Sequence, residues 1–403
     1  MKAEERAWAE IDLDAIRNNI RRIRDYVRPG TKILGAVKAD GYGHGYLQVA
    51  RTLLDNGADW LAVACIDEAV QLRRCDIRCP ILILGHVTEQ EAETVVREDI
   101  TPACFSYELA LSLSRAATKL GLRAKIHVKL DTGMGRVGLR FTEDETMNQE
   151  TVDTILKMAV LPNLDIDGIF THFSSADEGA GDEYTKMQFR RFLDACQRLK
   201  ANGLEIPLRH CCNSAALIRF PEMHLDMVRP GIILYGMKPS TSVDCGRLHL
   251  KPAMQFKAKI THIKEVEPGV SVSYGRRFET ERVTRIATIP VGYADGYSRI
   301  LSGKSQVIAG GKICDVIGNI CMDQCMIDVS AVNTISVGDD VILFGRSDDI
   351  ELPVESLAEK MGTINYEILC IIGKRIPRIY LRDGKVVGEH NYLLDTPIPS
   401  WFL

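Results

Sequence analysis

The segment KILGAVKADGYGHG, residues 32–45, runs from an apolar stretch at 33–37 into Lys38 and then into a glycine-rich turn carrying Tyr42 and His44. A lysine where a buried strand runs out is placed for amine chemistry. Desolvation disfavours the ammonium, and a neutral amine forms a Schiff base with a carbonyl. The same placement also fits a lysine that only snorkels to solvent. Other stretches carry groups of comparable interest: KLDTGMGR at 129–136, with Lys129, Asp131 and Arg136; His172; Asn213 with Ser214; and Arg229 to Gly231.

The elements that position these groups alternate regularly. Apolar, partly β-branched runs occur at 33–38, 60–64, 80–85, 100–105, 125–131, 165–173, 208–213 and 227–236, and read as about eight strands. Helical periodicity separates them at 47–56, 67–74, 107–120, 153–158 and 187–201. A short strand at 8–11 and a helix capped by Asp12 or Asp14 come first; the arginines of that helix form a solvated face. Strands that are apolar along their whole length, separated by amphipathic helices, predict a parallel sheet covered by helices. Eight such units predict an α/β fold of the (β/α)8 barrel type, whose site lies at the C-terminal strand ends. Lys38, the 131–136 loop, His172, Asn213 and Arg229 all fall there.

From Met254 onward the pattern changes to short alternating runs separated by turns at 267–269, 310–311 and 338–339, which predicts a mostly-β domain with one helix at 354–361. The segment 240–250 reads as the linker. The expected division is a barrel over 12–240, a β-rich domain formed by 1–11 with 241–385, and a C-terminal tail over 386–403. The formal net charge of −4 gives no bulk field for nucleic acid. No apolar run has the length of a signal peptide or a membrane span, so a cytoplasmic protein is expected. The 12 cysteines lack zinc-ligand spacing; reduced thiols and no metal are expected.

Nine blocks then occur in order: AVKADGYGHG at 36–45, KLDTGMGRVG at 129–138, THFSSAD at 171–177, NSAA at 213–216, RPGIILYG at 229–236, SYGRRF at 273–278, VGYADGY at 291–297, CMDQCMID at 321–328 and TINYE at 363–367. Together they resemble the alanine racemases and span nearly the whole chain. The resemblance implies a pyridoxal 5′-phosphate enzyme with a barrel and a C-terminal β domain, acting as a head-to-tail homodimer on L- and D-alanine and supplying D-alanine for peptidoglycan. It implies that the cofactor is held as a Schiff base on Lys38, and that an aldimine with the amino acid is deprotonated by one base and reprotonated by another. The two bases it implies are Lys38 and Tyr274, the latter from the other subunit. A phenol acting as a base near neutrality needs its pKa lowered by roughly 3 units, about 4 kcal/mol. Taken alone, Tyr274 also fits a half-buried strand tyrosine.

The remaining roles follow from the same resemblance. His172 and Arg229 link the tyrosine to the cofactor ring. Asn213, Ser214, Gly231, Ile232, Tyr42 and Tyr366 complete the cofactor site, several of them as phosphate donors. Arg136 and the amide of Met322 meet the substrate carboxylate, Asp323 stands beside Met322, and Asp177 and Arg299 belong to the entry passage. Arginine donates hydrogen bonds and accepts none, so Arg229 predicts an unprotonated ring nitrogen. Lys129 is either carbamylated or paired with a carboxylate such as Asp131. Asn319 departs from the family pattern, which commonly has arginine there, and Tyr366 favours alanine over serine. Competing readings are a serine or broad-specificity racemase, a pyridoxal-phosphate decarboxylase and a non-catalytic pyridoxal-phosphate carrier.

Overall fold

The computed structural model describes residues 6–395. They fall into two compact units, the described parts of Met1–Asp14, Tyr42–Gly45 and Ala253–Leu403 in one, and Ala15–Gly41 with Tyr46–Pro252 in the other.

The second of these units is the barrel. Its strands lie in the order Met227–Val228, Lys32–Ala36, Trp60–Val63, Ile81–Ile83, Thr101–Cys104, Ala124–Asp131, Leu164–Phe170 and Leu208–His210, all pairing in parallel. Backbone bonds from Asp226 N to Arg209 O (3.2 Å) and from Arg229 N to Cys212 O (3.1 Å) join the last strand to the first. Trp60–Val63, Ile81–Ile83 and Thr101–Cys104 are buried along their whole length. Both of their faces are covered, so these strands show no apolar–polar alternation.

Two helices missed from periodicity, Ala92–Arg97 and Ser214–Arg219, are only six residues long, less than two turns. The helix expected at 153–158 begins earlier, at Glu145, where the Asp144 carboxylate accepts the amides of Thr146 (3.0 Å) and Met147 (3.2 Å). The strand expected over 227–236 is only Met227–Val228. Gly231, at φ −122° and ψ −96°, breaks it, and Ile232–Tyr235 continues as a 3₁₀ turn closed by Gly236 at φ 86°.

A β-bulge between Ile126 and His127 sets the His127 ring against its register partner Gly168. A Cβ at Gly168 would lie 2.6 Å from that ring, so no larger residue fits beside it.

In the other unit the sheet order is His262–Val266, Thr284–Ile289, Cys325–Asp328, Lys312–Ile317, Gln306–Ala309, Asp340–Ser347, Met254–Lys259, Ala7–Asp12, Arg378–Arg382 and Lys385–His390. Ala7–Asp12 pairs antiparallel with Met254–Lys259 and parallel with Arg378–Arg382, which seats the N-terminal strand among the last ones. The expected helix is present as Val354–Met361, and a second one, Asn365–Cys370, follows it. The segment expected as a tail opens within Lys385–His390, a strand paired with Arg378–Arg382; residues 396–403 lie outside the described residues. Among the described residues all 12 cysteines are free thiols, and no helix is long and apolar enough to cross a membrane.

Replacing Gly168 with Ala forces the His127 ring to shift in a filled core. It is expected to cost about 1–3 kcal/mol, read as a lower urea midpoint of unfolding.

Candidate active site

Lys38 stands two residues beyond the strand Lys32–Ala36 and opens an unusual turn. Ala39 (φ 51°, ψ 50°), Asp40 (56°, 44°) and Gly41 (60°, 44°) are left-handed, and Tyr42 follows at φ 50°. Each non-glycine residue in this conformation costs roughly 1–2 kcal/mol. Two local bonds, Gly41 N to Val37 O (2.8 Å) and Tyr46 N to Asp40 Oδ1 (2.9 Å), and one from another segment, Ala39 N to Glu68 Oε1 (2.6 Å), hold the turn.

The strand Ala124–Asp131 places His127 and Lys129 on one face, two residues apart, and both are buried. Lys129 Nζ donates to the Leu130 carbonyl at 2.7 Å and lies 5.2 Å from the centre of the Phe170 ring. Burial first, and the Arg229 cation second, pull its amine down to about 7. Lys129 forms no ion pair with Asp131, whose oxygens accept the amides of Gly133 (3.0 Å) and Gly135 (3.1 Å). That arrangement shapes the loop carrying the exposed Arg136.

Arg229 lies just past Met227–Val228, buried, with its guanidinium carbon 5.3 Å from the Phe170 ring centre. One terminal nitrogen bonds His210 Nδ1 (2.9 Å). The other meets the carbonyls of Thr171 (2.8 Å) and Cys211 (3.0 Å) and His172 Nδ1 (3.2 Å). Every one of these partners is a neutral acceptor. Burial lowers the Arg229 pKa to about 10, so it remains a cation at neutral pH.

Because a guanidinium only donates, these contacts fix proton positions. His210 Nδ1 must accept, so its proton sits on Nε2 and points at His127 Nδ1, 2.9 Å away. His127 Nδ1 must then accept as well, leaving its proton on Nε2, which lies 3.9 Å from Asp167. A further proton on either ring would set two N–H groups against each other. Burial accordingly pulls the His127 pKa down and the His210 pKa well below the imidazole range. His210 stacks on Phe170 at 4.8 Å with 4° between the planes.

His172 receives Arg229 at Nδ1, so in its neutral form it carries a proton on Nε2. Burial, then the cations of Arg229, Lys129, Arg136 and Lys38, drive its pKa well below the usual value. Cations from three separate strand ends thus act on one imidazole.

Asn213 caps the helix Ser214–Arg219 through its side-chain oxygen on Ala216 N (2.9 Å). The Ser214 hydroxyl accepts the amide of Gly231 at 2.8 Å, joining the starts of two turns. Gly231 therefore directs its amide to Ser214, while Ile232 opens the 3₁₀ turn, where amides lack partners within the turn. The Asp177 carbonyl accepts the Ser240 hydroxyl at 2.6 Å.

In the β-rich unit Tyr274 is not a half-buried strand residue. It is 71% exposed, in a turn between Ser271–Val272 and Phe278–Glu279. Ser273 (φ 66°) and Arg276 (φ 50°) are left-handed there. Asn319 holds this turn: its Nδ2 donates to the Tyr274 carbonyl and its own carbonyl accepts the Ser273 hydroxyl, both at 2.5 Å. The departure at Asn319 thus has a structural task. Tyr274 also lines a cavity of about 510 Å³ with Tyr293, Arg299, Ile320 and Cys321.

Met322 is 52% exposed, and its carbonyl accepts Ala294 N at 3.1 Å. Asp323 pairs with Arg375 (2.7 Å), which also approaches the buried Asp295 (3.3 Å). Tyr42 and Tyr366 pack edge to face with ring centres 6.1 Å apart, and burial raises the pKa of the Tyr42 phenol.

Sequence reasoning passed over His127, His210, Glu68 and the task of Asn319. For His127 a signal was available, since IHVKLD places it two residues before Lys129 on a strand with no exposed alternate face.

A parallel barrel whose strand ends gather buried cationic and polar groups has the form of a barrel enzyme. The family model "Alanine racemase, N-terminal domain" matches residues 11–239 and "Alanine racemase, C-terminal domain" matches 253–380. The chain is 49% identical over 387 residues to an alanine racemase of Clostridium tetani, covering 96% of this chain and 98% of that one. Among solved structures, alanine racemase of Clostridium difficile superposes with a TM-score of 0.91 at 42% identity, covering 96% of this chain and 99% of that one. Its complex with cycloserine gives 0.89 at the same identity and coverage. The chain belongs to the alanine racemase family, whose members are pyridoxal-phosphate-dependent isomerases acting on an amino acid.

Proposed function

We propose that the chain interconverts L-alanine and D-alanine with pyridoxal 5′-phosphate, as a cytoplasmic homodimer that supplies D-alanine for peptidoglycan. The cofactor-binding part is the barrel, assigned to 12–240, and 1–11 with 241–385 forms the β-rich part. One observation carries the reading: at the strand ends the buried Arg229 guanidinium bonds His172 Nδ1 (3.2 Å) and His210 Nδ1 (2.9 Å) and has no carboxylate among its partners.

The donors suit the cofactor group by group. Lys38 offers an amine for its carbonyl, Arg229 a donor for its ring nitrogen, and Arg136 a fork for its phenolic oxygen and for the substrate carboxylate. For the phosphate there are the Ser214 hydroxyl, the Ile232 amide, and the phenols of Tyr42 and Tyr366. Gly231 and Asn213 hold Ser214 and its helix in place. When bound, the cofactor supplies an electron sink that makes the α-hydrogen of an amino acid acidic.

Lys38 Nζ takes or returns that proton on one face of the α-carbon, and the phenol oxygen of Tyr274 of the partner subunit does so on the other. Neutral His172, held at Nδ1 by Arg229, keeps an Nε2–H to donate to the phenolic oxygen, which favours the phenolate. Arg229 can donate to the ring nitrogen and cannot accept its proton. That leaves the ring a weaker sink and favours prompt return of the proton over side reactions. The amide of Met322 is assigned to the substrate carboxylate, Asp323 to a supporting place beside it, and Asp177 and Arg299 to the entry passage. Lys129 is assigned a carbamate that braces Arg136, formed when its neutral amine adds to carbon dioxide and releases a proton to solvent.

The reading is tested with L-alanine in deuterated water. Exchange of the α-proton with appearance of D-alanine by NMR is expected, together with a visible absorbance band fixed by borohydride and lost in Lys38→Ala. A yellow protein that exchanges nothing would refute it. Arg229→Glu is expected to release pyruvate from L-alanine faster than wild type; an unchanged rate counts against the donor-only role. For Lys129, the neutral fraction grows as pH rises through about 7. A ¹³C-carbamate resonance from labelled bicarbonate should therefore strengthen from pH 6 to 8 and vanish in Lys129→Ala.

A further inference from the structure

The left-handed turn after Lys38 is held from outside itself by one carboxylate. Glu68 lies in the first turn of the helix Ile66–Arg74, which follows the neighbouring strand Trp60–Val63. Its Oε1 accepts the amide of Ala39 at 2.6 Å and its Oε2 the amide of Ala64 at 2.7 Å. The two strands that lead into these amides pair in register, Ala36 opposite Ala62, so Glu68 joins the loops that leave adjacent strand ends.

Ordinary helix capping does not require this arrangement. A glutamate at the third helical position usually turns back to the amide of the N-cap residue, which here is Cys65. Glu68 reaches one residue further back, to Ala64, and commits its other oxygen to Ala39. Ala39 is also the first left-handed residue of the turn. A strained backbone persists only where its surroundings over-determine it, and such strain gathers at functional sites. A carboxylate accepting backbone amides is a strong form of hydrogen bond.

We propose that Glu68 is a positioning residue for Lys38. By clasping Ala39 and Ala64 it fixes the backbone on the C-terminal side of the lysine, and so the point from which the amine works. The proposal rests on the reading of Lys38 as the cofactor-bearing base. It assigns Glu68 no contact with substrate or cofactor. Its effect is expected in the chemical step, where small misplacements of a base are costly, and not in substrate affinity.

The test compares wild type, Glu68→Gln and Glu68→Ala. On cofactor-free protein, amide hydrogen exchange by mass spectrometry and the rate of Lys38 acylation by acetic anhydride are read. On holoenzyme, kcat and KM for L-alanine are measured. In Glu68→Ala, exchange at 38–46 should quicken about tenfold or more while the strands Ile81–Ile83 and Thr101–Cys104 stay unchanged. The Lys38 acylation rate should change, and kcat should fall about tenfold at nearly constant KM. Gln, which keeps one acceptor oxygen, should lie between. Unchanged exchange, or equal acceleration across the whole barrel unit, would overturn the proposal, as would local acceleration with unaltered acylation and kcat. Borohydride fixation on wild type separates the underlying reading: no cofactor on Lys38 would overturn the role given to the lysine, while the exchange result would still report on the clasp.

Discussion

A permanently charged guanidinium, buried at the end of the barrel among neutral acceptors, is the constraint on which the site depends. Arg229 has two carbonyls and two imidazole nitrogens for partners and no carboxylate. A buried charge is tolerated only when its hydrogen bonds are met. The neighbouring residues therefore supply acceptors at set places, and each acceptor loses its choice of tautomer. His210 and His127 become a one-way chain, and His172 is left neutral with a single proton on its far nitrogen. One donor-only residue thus decides the protonation of three histidines. It also adds to burial, the larger cause, in lowering the Lys129 pKa.

The second device is backbone strain at chosen points. Lys38 is followed by left-handed residues that include Ala39, Asp40 and Tyr42, and Tyr274 is flanked by left-handed Ser273 and Arg276. In each case a side chain from another segment holds the distorted turn, Glu68 in the first and Asn319 in the second. The two residues assigned as bases thus stand on backbones that local propensity alone would not choose. The cost is carried by burial elsewhere in each unit, in strands covered on both faces and in the long sheet around Met254–Lys259.

Much of this was legible in the chain itself. The alternation of apolar runs and amphipathic helices marked all eight barrel strands, most plainly those such as Trp60–Val63 and Ile81–Ile83 that are buried on both faces and apolar throughout. Lys38 and His172 were marked by ending those runs, Ser214 and Arg136 by following them, and Arg229 by interrupting the last with a charge. The elements that escaped are the short ones. Ala92–Arg97, Ser214–Arg219 and Asn365–Cys370 span too few turns for a period of 3.6 to register. The run at 227–236 was misread as strand because Ile232, Ile233 and Leu234 are apolar in either conformation, while Gly231 and Gly236 bound them as a 3₁₀ segment.

The sequence by itself determined the barrel, the β-rich unit and the kinds of group available for chemistry, since burial patterns and residue types are local and leave a period behind them. Tertiary structure decided which groups meet. His127, His210 and Arg229 are separated by 83 and 19 residues, and nothing in their neighbours along the chain signals that they form one hydrogen-bonded line. Nor does the glutamate at position 68 differ in sequence from any other acid in a first helical turn. What distinguishes it is that two parallel strands in register bring Ala39 and Ala64 within reach of its two oxygens. Hydrogen bonds act over about 3 Å, so a contact between distant segments leaves no periodic trace and exists only once the strands have paired.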